Sequence, residues 1–232
     1  MNESRKQLKA IFISLISLCC LILGAGQSCA QEALETIYYN IKPVGVCVYQ
    51  DFGPVEFHGN KVNLIVFKTN MPGFEDREVI FSETKTGLPV FVDRYISLFL
   101  REEHITEEYS SRDFSLNVTK FQKGRKVDEY FLKRKGPLQN AVLLPFSLRD
   151  APELRIGSIF NVILLKEFDV KIGPIEDVVV PAGKFKAYHL TSSPNKFEIW
   201  ISADKDKLPV KIKGLGALPY VLEMRERISR KQ

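Results

Sequence analysis

The sequence predicts an all-β protein, a large twisted antiparallel sheet that curls toward a half-barrel or barrel, with one short helix. Three observations carry this prediction. Apolar and polar residues alternate with period two along most of the chain beyond residue 33, Pro and Gly punctuate the alternating runs, and a single stretch has helical spacing.

The runs follow in order. Leu34 to Lys42 carries Thr36, Ile37, Tyr38 and Tyr39, and Val44 to Tyr49 follows a corner at Pro43; β-branched and aromatic side chains suit a pleated surface. Val62 to Thr69, Glu78 to Ser82 and Leu88 to Ile96 continue the series, with turn chemistry at Gly53-Pro54, Met71-Pro72-Gly73 and Thr86-Gly87. Phe114, Leu116 and Val118 alternate with polar neighbours, and Lys123-Gly124 turns the chain into Val127 to Leu132, a hairpin signal. Gly136-Pro137 then opens Leu138 to Asp150, where Leu138, Val142, Phe146 and Arg149 recur near helical spacing. The sequence predicts one short helix there, started at Pro137, bent or shortened by Pro145 and closed before Pro152. Beyond Gly173-Pro174, the alternations Phe185/Ala187/His189, Phe197/Ile199/Ile201, Leu208/Val210/Ile212 and Tyr220/Leu222/Met224 each leave a polar face opposite. Such strands form an antiparallel sheet wetted on one side.

The N-terminus changes the composition. Arg5, Lys6 and Lys9 precede an uncharged apolar stretch from Ala10 to Gly26, and Ser28-Cys29-Ala30 puts small residues before Gln31. This is the three-part pattern of a secretory signal peptide over residues 1–30, shorter than the roughly 20 apolar residues of a stable span. Residues 31–232 then form a single β-rich envelope domain. The 33 basic and 28 acidic residues become 30 and 27, so the net charge drops from +5 to +3. That is no footprint for nucleic acid. Cys19, Cys20 and Cys29 leave with the peptide; Cys47, in Val46-Cys47-Val48, stays as a buried small hydrophobe without a disulfide partner.

A short internal echo recurs: Val79 to Val90 and Ile199 to Val210 each read as an apolar strand, a polar turn and Leu-Pro-Val. Together with Ile37-Tyr38-Tyr39, Pro43-Val44-Gly45, Thr86-Gly87-Leu88-Pro89-Val90, Val180-Pro181-Ala182-Gly183-Lys184-Phe185 and Trp200-Ile201-Ser202, these residues resemble exported bacterial proteins of the domain-of-unknown-function 3108 family. The resemblance covers nearly the whole mature chain. It implies a bacterial envelope location and an antiparallel β fold, and brings no catalytic residues. The Leu-Pro-Val hairpin also resembles those of periplasmic lipoprotein carriers (LolA/LolB-like folds) and related sigma-factor regulators, whose curved sheet half-encloses a lipid.

Sites for chemistry are sparse. His58, His104 and His189 are isolated, and no paired-cysteine or His-Glu-x-x-His spacing, nucleophile elbow or phosphate loop occurs. On a strand, Glu102, His104, Thr106 and Glu108 share a face, but a charge run of this kind reads as a solvated face. The sequence therefore predicts no catalytic residues, no cofactor and no metal. Two binding features stand out. Phe67, Phe81, Phe91, Phe160, Phe168, Phe185 and Phe197 are candidates to line the concave side of the sheet and hold an acyl chain. Lys120, Lys123, Arg125 and Lys126 crowd one hairpin as a basic patch suited to anionic headgroups or polymers, or to guarding a sheet edge. The expected function is non-catalytic: a secreted, periplasmic or outer-membrane-associated envelope protein that binds a lipid, another hydrophobic ligand or a protein partner. Any membrane contact is peripheral. A structural or assembly component without a small ligand is the alternative, and an unrecognised hydrolase the third reading.

Overall fold

Fourteen antiparallel strands join edge to edge in one sheet in this computed structural model, which describes residues 32–149, 154–216 and 219–230. The first eight are β1 (Glu35–Lys42), β2 (Val46–Phe57), β3 (Asn60–Met71), β4 (Phe74–Glu83), β5 (Pro89–Leu98), β6 (Arg101–Ser110), β7 (Ser115–Gln122) and β8 (Arg125–Lys133). A helical turn, α1 (Leu144–Ser147), lies in the connection to β9 (Ile159–Ile163). The chain continues through β10 (Glu167–Val180), β11 (Gly183–Ser193), β12 (Phe197–Ser202), β13 (Pro209–Gly214) and β14 (Tyr220–Ser229). Spatial neighbours are consecutive in sequence except where β1 pairs with β14, Glu35 opposite Ser229 and Lys42 opposite Val221. Strands β8 and β9 are the two edges, so the sheet stays open between them.

Alternation decides which side chains point inward. Ile37, Tyr39 and Ile41 on β1 meet Cys47 and Tyr49 on β2, Ile65 on β3, Ile80 on β4 and Val92 on β5, all buried in one apolar cluster. A second cluster gathers Val162, Val170, Ile172, Leu190, Ile199 and Ile201 from β9 to β12. The segment between β8 and β9 fills the space within the curl. Its Leu143 and Phe146 belong to the first cluster, and its Leu144, Leu148 and Leu154 to the second. Phe146 lies flat on Tyr49, ring centroids 3.6 Å apart and planes 12° from parallel.

The helix is shorter than the sequence predicts, and Pro145 is the reason. Lacking an N–H, it is tolerated only in a first turn, so the helix begins at Leu144 and runs for four residues. Asn140 prepares the start: its Oδ1 accepts from the backbone N–H of Val142 at 2.8 Å and of Leu143 at 3.2 Å. Pro137 lies outside the helix, and the predicted stop at Pro152 falls outside the described residues. Two of the predicted breaks are bulges instead of turns. Strand β2 runs straight through Gly53-Pro54, where the register with β3 slips, Gly53 takes φ +73° and its N–H donates to Asp51 Oδ1 at 2.7 Å. Strand β10 passes through Gly173-Pro174 with a similar slip; a Cβ on Gly173 would lie 2.5 Å from the His189 carbonyl oxygen.

The long β10–β11 hairpin runs past the end of β12 and returns to β14, where the Ala182 N–H donates to the Met224 carbonyl at 3.0 Å. Val178, Val180 and Phe185 thereby join the first cluster. Since Phe146 links the filling segment to the sheet, Phe146→Ala is expected to destabilise the protein by about 3–5 kcal/mol, read from the shift in urea midpoint at constant slope.

Candidate functional site

The interior of the curl is the place where chemistry-bearing side chains converge. Ile80 faces the core, and Glu78 and Asp76 precede it on the same face of β4, with Arg94 directly opposite Glu78 on β5. Arg94 grips Asp76 through two parallel bonds, Nε to Oδ1 at 2.9 Å and Nη2 to Oδ2 at 2.5 Å, and its Nε lies 3.5 Å from Glu78 Oε1. Glu107 is held by the Tyr109 hydroxyl, which donates to Oε2 at 2.6 Å. Asn140 of the filling segment hydrogen-bonds Glu78 and Tyr109. Two carboxylates thus share one guanidinium, and Glu107 adds its charge from nearby. Burial pushes the Glu78 carboxyl up to about 7; Asp76 and Glu107 reinforce the shift, while Arg94 and Asn140 oppose it. Burial, with Glu107 beside it, likewise raises the Tyr109 phenol.

A second ionic network ties the filling segment to the sheet at the other end of the curl. Arg149, just beyond α1, places Nη1 2.5 Å from Glu35 Oε2 on β1, and its Nε donates to the Asp206 carbonyl at 3.2 Å. Arg227 on β14 completes the cluster, reaching Glu35 Oε1 at 2.6 Å and Asp206 Oδ2 at 2.8 Å. Burial alone would raise the Glu35 carboxyl, but hydrogen bonds and charge from Arg149 and Arg227 hold it below its usual range.

The seven phenylalanines do not converge on one groove. Phe67 and Phe185 pack against the first core cluster, and Phe160 and Phe197 against the second, with Phe168 edge-on to Phe197 at 5.5 Å. Phe81 and Phe91 sit next to the inward Ile80 and Val92, so they point from the opposite face, where Phe57 stacks on Phe81 at 4.0 Å. The basic patch is an exposed β7–β8 hairpin with positive φ at Lys123 (49°) and Gly124 (72°). Lys126 pairs with Glu129 at 2.7 Å, Lys120 lies 6.0 Å from the centre of the Tyr130 ring, and Lys123 and Arg125 are exposed.

The histidines have separate duties. His58 takes φ +50° in the turn before Gly59. His104 is stacked on Tyr95 and bound to Asp93 at 2.6 Å instead of meeting Glu102 and Glu108. His189 lies on the Trp200 ring, centroids 4.3 Å apart, with Glu198 Oε2 at 3.2 Å; the indole N–H donates to Glu176. Among the described residues no three His, Cys, Asp or Glu side chains gather as metal ligands. Burial drives the Cys47 thiol far above its ordinary range, leaving it protonated.

No family model and no curated protein matches the chain. A solved structure does: the beta-barrel-like protein of domain of unknown function DUF1849 from Brucella abortus, at a TM-score of 0.54 and 10% identity, over 87% of this chain and 99% of that one. The two share an architecture, an all-β barrel-like curl.

Two outcomes follow from the buried charges. Arg149→Ala strands Glu35 beside Arg227 alone and detaches the filling segment, with an expected loss of about 3–5 kcal/mol in urea unfolding. Glu78 binds its proton more tightly folded than unfolded, so its stabilising contribution is full below pH 4.5 and is lost as pH rises to about 7. Glu78→Gln removes this component. Across that interval the stability of the native protein is expected to fall relative to the variant by on the order of 3 kcal/mol, measured as unfolding free energy against pH.

Proposed function

We propose that the protein is an exported, non-catalytic binding protein of the bacterial envelope that takes a lipid or other hydrophobic chain, or a protein partner, on the concave face of its curled sheet. The observation that carries this reading is the open seam. Strands β8 and β9 do not pair with each other; the stretch between them fills the apolar interior and bridges to β9 at Leu138, which packs with Ile163, Leu116 and Val118. Large apolar side chains stand in solvent along both edges: Val127, Tyr130 and Phe131 on β8 and Ile159 on β9. An apolar interior with apolar residues at its edges suits a chain-like ligand better than a polar substrate. The interior carboxylates are committed to Arg94, Tyr109 and Asn140, and the Cys47 thiol is buried and protonated, which favours binding over catalysis. Export rests on the pattern of residues 5–30, which lie outside the described residues.

A second reading, an assembly component with no small ligand, is favoured by the Tyr49–Phe146 stack, where the chain fills its own interior. Native mass spectrometry of protein purified from a bacterial periplasm separates the two. Hydrophobic binding predicts a copurifying lipid mass, or uptake of a fluorescent fatty acid that is lost on delipidation and restored by adding lipid. A clean protein mass with no uptake leaves the assembly reading.

A further inference from the structure

One rung of the outer sheet face stands apart from the rest. Val48, Lys68, Arg77, Tyr95, His104 and Phe121 are directly opposite one another across six adjacent strands, β2 to β7. Lys68 and Arg77 lie three residues from the inward Ile65 and Ile80, so the rung faces away from the core. These six residues line a trough of about 730 Å³.

The aromatic half of the rung is rigid. Tyr95 and His104 are stacked 4.2 Å apart and 4° from parallel, His104 stacks in turn on Phe121 at 5.2 Å, and Asp93 pins the imidazole at 2.6 Å. Tyr95 is nevertheless 47% exposed. One of its ring faces is taken by His104 on β6; the other is turned toward β4, the strand that carries Arg77.

The cationic half lacks counter-charge. Lys68 and Arg77 face each other across β3 and β4, an arrangement that costs stability. Both are exposed, and neither has a carboxylate within ion-pair distance among the described residues. Lys123 stands at the rim. The acids that border the trough are engaged or displaced along the strands: Asp76 is gripped by Arg94, Glu103 pairs with Arg101 at 2.7 Å, Glu75 accepts from Asn70 at 3.2 Å, and Glu102 sits on the next rung, opposite Ser97.

We propose that this trough binds an anionic saccharide, with a sugar ring packed on the free face of Tyr95 and its acidic group between Lys68 and Arg77. The aliphatic C–H face of a pyranose fits an aromatic face. Two converging cations supply the charge-assisted bonds an anion requires. Asn70 and Ser97, on the same face, add amide and hydroxyl groups that suit a polyol. From Lys68 to Phe121 the rung spans four strand spacings, about 19 Å, long enough for an oligosaccharide. The site is on the face opposite the apolar interior and does not depend on it.

Isothermal titration of the purified protein with trigalacturonate, its neutral methyl ester and glucose 6-phosphate tests the site. Trigalacturonate is expected to bind, with the ester at least ten-fold weaker. Lys68→Ala/Arg77→Ala should lower the affinity at least ten-fold and Tyr95→Ala several-fold, while Lys171→Ala on β10 leaves it unchanged. Glucose 6-phosphate binding with the same dependence supports a site for phosphorylated as well as carboxylated sugars; its failure beside a bound uronate supports a carboxylate site. Equal affinity for the ester, indifference to the double variant, or no binding of either acid overturns the proposal. All substituted side chains are exposed, so thermal unfolding at the native midpoint confirms that each variant is folded.

Discussion

The Phe146 ring lying on Tyr49 anchors the filling segment to the sheet. A sheet that curls without closing has an inner face to cover and no opposing layer to cover it, and here the cover comes from the connection between β8 and β9. One helical turn divides its side chains between the two core clusters, Leu143 and Phe146 to one, Leu144 and Leu148 to the other. The Glu35–Arg149–Arg227–Asp206 network fixes the same segment beside the β1–β14 ladder, and Asn140 fixes it near Glu78. The curvature of the sheet, the burial of its carboxylates and the shape of its seam all depend on that inserted turn.

Much of the architecture is legible in the sequence because period-two alternation is a direct physical consequence of the pleat. Ile199 and Ile201, the Lys123-Gly124 turn and the strand entering at Pro209 are all recognisable without coordinates. The limits of that reading are equally physical. Alternation says that Phe81 and Ile80 lie on opposite faces but not which face is inward, and β4 carries large apolar residues on both. Gly53-Pro54 and Gly173-Pro174 look like turns because a bulge uses the same chemistry. The buried charges are hidden for another reason: nothing along the chain singles out Asp76, Glu78 and Arg94 until their mutual pairing across β4 and β5 is seen.

The candidate surfaces divide the molecule by chemistry. Inside, apolar contact and a few paired charges dominate, and on the function proposed above a hydrophobic chain or partner would meet them there. Outside, the rung from Lys68 to Phe121 offers unbalanced positive charge beside a rigid aromatic face. A curled sheet presents two unlike surfaces at nearly the same position along the chain, since adjacent residues of each strand serve opposite sides.

The pairing of β1 with β14 has a topological consequence. It brings the described ends of the chain together, with the Arg230 N–H donating to the Leu34 carbonyl at 2.9 Å, and among the described residues it is the one ladder made by strands distant in sequence. Read around the sheet from β9 through β14 to β1 and on to β8, the strands follow one another without interruption. The strand order is therefore circular in its logic: in a chain joined at its ends and reopened between β8 and β9, every strand ladder would join neighbours in sequence. Its contact order would fall, and the slow closure of a loop spanning nearly the whole molecule would disappear from its folding.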